Sequence, residues 1–311
     1  MIEAVRGQSG NASRRRLTLI ERLDAYERLM RLDKPIGTLL LLWPTLSALW
    51  LAANGAPRLS LLLIFVVGTL VMRSAGCAMN DWADRDFDGH VARTAARPLA
   101  AGLIAPWEAL AVAGVGVAIA FMLVLFTNRT TMLWSLPAFA IAAVYPFFKR
   151  FFAVPQAVLG IAFSFGIPMA YAAVQNRVPL IAWTLLGINF FWVMAYDTEY
   201  AMVDREDDVK IGIRTSAITF GRYDVAAVAI CYAIFVAGMA WIGRVHALGF
   251  VYYAGLAVAF VIALQHLRMI REREAGACFR AFLGNHWLGM SIFVGIALDY
   301  AIRSGRWPHA L

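Results

Sequence analysis

Long apolar stretches alternate along the chain with short polar ones. Segments 36–53, 59–80, 106–126, 131–148, 155–174, 179–200, 223–243, 246–267 and 281–302 are mostly apolar. Each approaches the length of about 20 residues that a helix needs to cross a hydrocarbon core. The runs are continuous rather than alternating, and an open sheet in lipid would leave backbone groups unsatisfied, so strands are excluded. The pattern predicts an all-α, polytopic membrane protein with nine transmembrane helices. Ahead of the first span, Leu17, Ile20, Leu23, Leu29 and Leu32 fall near helical spacing. They predict either an amphipathic helix on the membrane surface or an ordinary soluble helical turn. The expected division is an N-terminal cytoplasmic arm with that helix at 1–35, a transmembrane domain at 36–302 and a short C-terminal tail at 303–311.

Composition narrows the class further. The 311 residues are 61% hydrophobic and 15% charged, with a mean hydropathy of +0.66. Disorder requires the opposite balance. Three cysteines in a chain this long make no disulfide framework. The net charge of +8 does not point to nucleic acid, because the basic residues flank apolar runs instead of covering a soluble face. Basic residues in that position set orientation. With the N-terminus inside, 21 of the 28 Lys and Arg fall on the cytoplasmic side, six fall outside, and Arg73 lies within a span. The expected topology is N-in and C-out. The chain opens on a polar stretch with Arg14, Arg15 and Arg16 and no apolar core close behind, unlike a secretory signal.

The acids carry the functional signal. Ten of the 20 Asp and Glu fall in two windows, 81–88 and 197–208, which end the second and sixth spans. Asn80, Asp84 and Asp88 follow at i, i+4 and i+8. Asp197, Asp204 and Asp208 follow at i, i+7 and i+11. Each set is expected on one helical face. Four crossings separate the windows, so both emerge on the same side, which the charge count makes cytoplasmic. One acidic run is usually a solvated loop. Two opposed acidic faces at a membrane mouth are costly without cations. Carboxylates and a carboxamide are hard oxygen ligands that suit Mg²⁺, completed by substrate phosphate oxygens. The residues therefore predict a two-sided acidic cleft holding a phosphorylated ligand.

Basic residues near both windows suit the same ligand: Arg93, Arg97, Lys149, Arg150, Lys210 and Arg214, with Arg31 and Lys34 before the first span. The positive-inside rule alone accounts equally well for Arg93, Arg97 and Lys210. Arg73 lies seven residues before Asn80, two turns deeper on that face. An intramembrane arginine is a functional candidate, here for an anionic small substrate, or else half of a structural ion pair. Glu108 and Asp299 stand near span ends and are expected to be interfacial. His246, His266 and His286 have no ligand spacing and are assigned no role. A cation-coupled transporter would also combine many spans with intramembrane charges, but such sites tend to lie at the midplane in broken helices.

Asn80-Asp81-x-x-Asp84-x-x-x-Asp88 and Asp204-x-x-x-Asp208 resemble the two aspartate-rich motifs of the UbiA superfamily of intramembrane prenyltransferases. The likeness covers roughly residues 25–300. RLDKPIGTLLLLWPT (31–45), AGCAMNDWADRDFDGHVARTAARPLAAG (75–102), YPFFKR (145–150), PQAVLG (155–160) and YDTEYAMVDREDDVKIGIRTSA (196–217) are similar to the branch that prenylates 4-hydroxybenzoate in ubiquinone biosynthesis. The resemblance implies nine helices around a central cavity with a cytoplasmic acidic mouth. It implies Mg²⁺-dependent transfer of a polyprenyl group from its diphosphate to the ring carbon ortho to the hydroxyl of 4-hydroxybenzoate. It implies that Asn80, Asp81, Asp84, Asp88, Asp204 and Asp208 belong to the metal site, Asp81 least firmly. Lys149, Arg150, Arg93 and Arg97, with Lys34 and Lys210 nearby, would serve the diphosphate. Arg73, Tyr145 and Asp197 would line the acceptor pocket, with Asp197 orienting or deprotonating the phenol. Asp84 and Asp204 would act in catalysis through the leaving group. Other acceptors in the superfamily are haem, chlorophyllide, homogentisate and naphthoate. The donor is expected to enter laterally from membrane lipid, and the KPIGTLLLLWPT string suggests a bacterial inner membrane or a mitochondrial relative.

Overall fold

The computed structural model describes residues 17–91 and 93–304, except for the side chains of Lys149 and Ser304. Arg14, Arg15, Arg16 and most of the predicted tail lie outside the described residues. Nine helical segments among those described are long and apolar enough to cross a membrane. The chain is a multi-pass membrane protein.

A first helix, α1 (Leu19–Met30), precedes the spans. Thr18 and Glu21 form a capping box at its start, with Glu21 N–H donating to Thr18 Oγ1 at 3.3 Å and Thr18 N–H to Glu21 Oε2 at 2.8 Å. It ends where Arg31 turns left-handed. Ala25 and Leu29 are buried while Leu19, Ile20 and Leu23 are exposed, so the helix is amphipathic. The next helices are α2 (Ile36–Ala53), α3 (Leu59–Asp84), α4 (Pro106–Leu125) and α5 (Arg129–Val144). A 3-10 turn over Tyr145–Arg150 follows.

The fifth span departs from the expected single helix. It comprises α6 (Pro155–Ser164) and α7 (Gly166–Gln175), joined at Phe165. Pro168 lacks an N–H, so the ladder loses a bond at this joint. Then come α8 (Leu180–Val203), the short α9 (Arg205–Ile211) and α10 (Ser216–Phe220), and α11 (Asp224–Val245), α12 (Phe250–Met269) and α13 (Ala275–Ser304).

Packing follows membrane rules. Large apolar side chains such as Phe126, Leu133, Ile230 and Phe250 are exposed on the outer faces, where lipid is their solvent. The interior uses tight contacts and polar links. Between α12 and α13, a Cβ on Gly255 would lie 2.5 Å from the Ser291 carbonyl oxygen, so only glycine permits this approach. A second link joins four helices: Tyr232 of α11 donates to Glu199 Oε1 of α8 at 2.8 Å, and Asn285 of α13 donates to Glu199 Oε2 at 2.8 Å. His266 Nδ1 of α12 lies 3.1 Å from the Tyr232 hydroxyl. His266 therefore belongs to a buried polar network that its spacing did not reveal.

Glu108 and Asp299, expected at the interface, stand near the ends of α4 and α13. Both are buried. Glu108 accepts from Tyr26 and from Ala105 N–H, and Asp299 accepts from Gly249 N–H. Each uses its carboxylate to satisfy chain ends that would otherwise be orphaned.

Candidate functional site

The two acidic windows meet at one end of the bundle. The first begins on the last turns of α3, where Asn80 Nδ2 donates to Asp84 Oδ2 at 3.0 Å. α3 ends at Asp84, and Asp88 opens a separate 3-10 turn, Asp88–His90. The second window breaks in the same way. α8 ends at Val203, Asp204 sits at the joint, and Asp208 belongs to α9. The expected continuous faces are therefore bent. Bending spreads carboxylates that a straight helix would stack against one another.

Arginines fill the space between the acids. Arg93 crosses from the first window to the second, donating through Nε to Asp204 Oδ1 at 2.9 Å, while its Nη2 also bonds Asp204. Its guanidinium lies 4.5 Å from the Tyr200 ring centre. Arg97 donates to Asp81 at 3.0 Å and to Asp88 at 2.8 Å. Arg31 grips both oxygens of Asp81, at 2.8 and 2.9 Å. Burial pushes the Asp88 carboxyl above its usual range, and Arg97 offsets only part of that. Burial works against the charge on Arg97, but Asp81 and Asp88 outweigh it and hold the guanidinium more firmly protonated than usual.

Arg150 donates to the Ala83 carbonyl at 2.6 Å and lies over Phe147, so it abuts the end of the first window. The side chain of Lys149 lies outside the described residues. Lys34 is exposed beside Asp33, and Lys210 pairs with Asp207 at 3.1 Å on an exposed surface. These two lysines stand at the rim.

Below this mouth lies a cavity of about 440 Å³. Arg73, Tyr145 and Met79 line it near the acidic end, and Thr127 and Thr131 line it at the other. It therefore runs most of the depth of α3. Arg73 Nη1 donates to Cys77 Sγ at 2.8 Å. Tyr145 starts the turn that ends in Arg150, with its ring 6.4 Å from that of Phe163. Asp197 stands on α8, two turns before the joint at Asp204.

Among the described residues, no group of three or more His, Cys, Asp or Glu is gathered as a metal site. The donor set still suits a hard cation: carboxylates and a carboxamide at one end of the bundle. Arginines pair with Asp81, Asp88 and Asp204 of this set.

Sequence reasoning missed the support behind the second window. Arg205, next to Asp204, donates to Asp224 Oδ2 at 3.0 Å. Arg273, from the α12–α13 connection, grips the same carboxylate at 2.7 to 3.0 Å. Asp224 is completely buried. An acid heading an apolar span was the only available signal.

Known proteins resemble this chain over most of its length. The UbiA prenyltransferase family matches residues 41–289. The 4-hydroxybenzoate octaprenyltransferase of Ralstonia nicotianae is 62% identical over 282 residues, covering 91% of this chain and 97% of its own. The protein of the same name from Cupriavidus necator is 61% identical over 285 residues, covering 92% and 100%. The apo structure of a UbiA homologue from Aeropyrum pernix K1 superposes with a TM-score of 0.76 at 25% identity, over 84% of this chain and 97% of that one. A UbiA homologue from Archaeoglobus fulgidus, solved bound to GPP and Mg²⁺, shares the fold with a TM-score of 0.67 at 20% identity, over 90% and 99%.

Proposed function

Because this chain belongs to the UbiA prenyltransferase family, we propose that it moves a polyprenyl group from its diphosphate to the ring carbon ortho to the hydroxyl of 4-hydroxybenzoate, releasing diphosphate. The observation that carries the reading is the arginine-bridged acidic mouth above an apolar cavity containing Arg73 and Tyr145. The acceptor is supported by relatives at 62% and 61% identity that bear the name 4-hydroxybenzoate octaprenyltransferase. Membrane placement with the mouth on the cytoplasmic face of an inner membrane is supported by the excess of Lys and Arg at that end.

In this reading Asn80, Asp84, Asp88, Asp204 and Asp208 hold Mg²⁺, which supplies charge neutralisation for the leaving diphosphate. Asp81, gripped by Arg31 and Arg97, orients those two guanidiniums. Arg93, Arg97, Lys149 and Arg150 bind diphosphate oxygens, and Lys34 and Lys210 at the rim draw the anion in. Loss of diphosphate leaves an allylic cation. The apolar cavity wall keeps water from it, and the Tyr145 ring face stabilises it. Arg73 takes the acceptor's carboxylate. Asp197 orients the phenol or accepts its proton as the ring carbon attacks, and that carbon then gives up its own hydrogen as a proton to restore the aromatic ring. The tail remains in lipid-like surroundings, worth about 0.8 kcal/mol per buried CH₂, so the donor enters from the bilayer.

Asp84→Ala and Asp208→Ala are expected to abolish prenyl transfer by purified, folded enzyme while sparing the melting temperature. Turnover at the wild-type rate in either variant would remove the metal-site reading.

A further inference from the structure

The basic turn that ends in Arg150 and the second acidic window are fastened to each other by a seam. The connector 151–156 leaves the turn and is bonded at three points to segment 214–219. Gln156 Oε1 accepts from Ser216 N–H at 2.8 Å. Arg214 Nη1 donates to the Phe151 carbonyl at 3.2 Å. Thr219 Oγ1 donates to the Ala153 carbonyl. Arg214, a candidate for the phosphorylated ligand by sequence, gives a donor to this seam.

The bond between Gln156 and Ser216 is the buried one, whereas Arg214 and Thr219 are exposed. Ser216 opens α10, and the first N–H groups of a helix have no acceptor within it. Gln156 supplies that acceptor from 60 residues away. The Ser216 hydroxyl lies 2.8 Å from that of Thr198, which follows Asp197 on α8. Short pieces of chain join the seam to the mouth on either side. Phe151 directly follows Arg150, whose guanidinium bonds the Ala83 carbonyl beside Asp84 at 2.6 Å. On the other side α9 ends at Gly212, with φ 73°. This left-handed turn brings Ile213 N–H onto the Asp208 carbonyl at 3.0 Å, one residue before Arg214. The 150–156 stretch is thus tied to the first window through Arg150 and to the second through Gln156.

We infer that Gln156 is a positioning residue: its bond to Ser216 N–H fixes the spacing between Arg150 and the Asp204–Asp208 window, and with it the gap in which Mg²⁺ and diphosphate meet. The inference rests on the diphosphate reading of the mouth. Arg73, on the acceptor side, stands on α3, which makes none of the three seam bonds.

The test uses detergent-purified full-length enzyme. Gln156→Leu keeps bulk and removes the acceptor, while Gln156→Glu keeps an oxygen acceptor at the same reach. Gln156→Leu should raise the KM for polyprenyl diphosphate and the Mg²⁺ concentration for half-maximal rate about fivefold or more, with the KM for 4-hydroxybenzoate within about twofold. Gln156→Glu should return both to near wild-type values. Without turnover, the rise in melting temperature given by geranyl diphosphate with Mg²⁺ should need about fivefold more ligand in Gln156→Leu, and the rise given by 4-hydroxybenzoate should need no more. In an Arg150→Ala background, Gln156→Leu should raise the donor KM less than it does alone, because the seam acts in part through that arginine. A donor KM unchanged in Gln156→Leu but raised in Arg150→Ala would overturn the role of Gln156 alone. A donor KM unchanged in both would overturn the diphosphate reading beneath it. Both KM values rising together, or a fall in kcat alone that Gln156→Glu shares, would make Gln156 a packing residue only. If Gln156→Leu fails to fold, Thr219→Val and Arg214→Met each remove one exposed seam bond and should raise the donor KM by a smaller factor; no rise in either would overturn the seam.

Discussion

Arg97 is shared by two buried acids, Asp81 and Asp88. Arg97→Ala takes from Asp88 the arginine that pairs with it and leaves Asp81 to Arg31 alone, in a site closed to water. Breaking a buried pair from one side costs on the order of 3 kcal/mol. The variant should therefore lose stability as well as transfer, read as a lower melting temperature in detergent. An unchanged melting temperature would mean that water already reaches these carboxylates. Arg93 differs, because its guanidinium lies over the Tyr200 ring as well as against Asp204. Residues of this kind were legible in sequence as types and spacings. Asn80, Asp84, Asp88, Asp204 and Asp208 announced themselves by their repeat, and Arg73 by its place in an apolar run. The pairings were not legible. Which arginine meets which acid depends on the bends after Asp84 and Val203, and spacing does not encode those.

Helices are where sequence and structure agree most. A span is a long apolar run, so α2, α3, α4, α5, α8, α12 and α13 stand close to their expected bounds. The departures have local causes. The fifth span breaks near Pro168, and the acidic faces bend where like charges would stack. The Glu199 network had no signal, because Tyr232, His266 and Asn285 lie far apart in the chain and meet only through helix packing. Glu199→Gln keeps the shape and one acceptor, for Tyr232, but sets an NH2 donor against the Asn285 amide, so it should cost only about 1 kcal/mol. Glu199→Leu removes both acceptors, leaving Tyr232 to Asn285 Oδ1 and His266 Nδ1 and the Asn285 amide to the Ala281 carbonyl, and should cost more, roughly 2 kcal/mol. Equal melting temperatures for the two variants would rule out these bonds as a tie among α8, α11, α12 and α13.

At the scale of the molecule, charge and chemistry are segregated along one axis. The acids and most bases gather at one end, and the cavity runs from there toward the far side. That polarity gives a donor with a charged head and a long apolar tail one orientation in the site. A transporter site at the midplane has no counterpart in these acids. Orientation in the membrane is open to a direct check. Single cysteines placed at Arg58, Arg177 or Arg244 should react with a membrane-impermeant thiol reagent added outside spheroplasts, and cysteines at Arg85 or Glu206 should not. The reverse pattern would put the mouth on the other face. The central claim, that this end of the bundle drives Mg²⁺-dependent prenylation of an aromatic acid, is tested by one assay. Membranes containing the protein are given radiolabelled 4-hydroxybenzoate, a polyprenyl diphosphate and Mg²⁺, with and without EDTA. The account predicts label in a lipid-extractable product that disappears with EDTA and with Asp84→Ala. Product that survives both, or no product from folded protein, would contradict it.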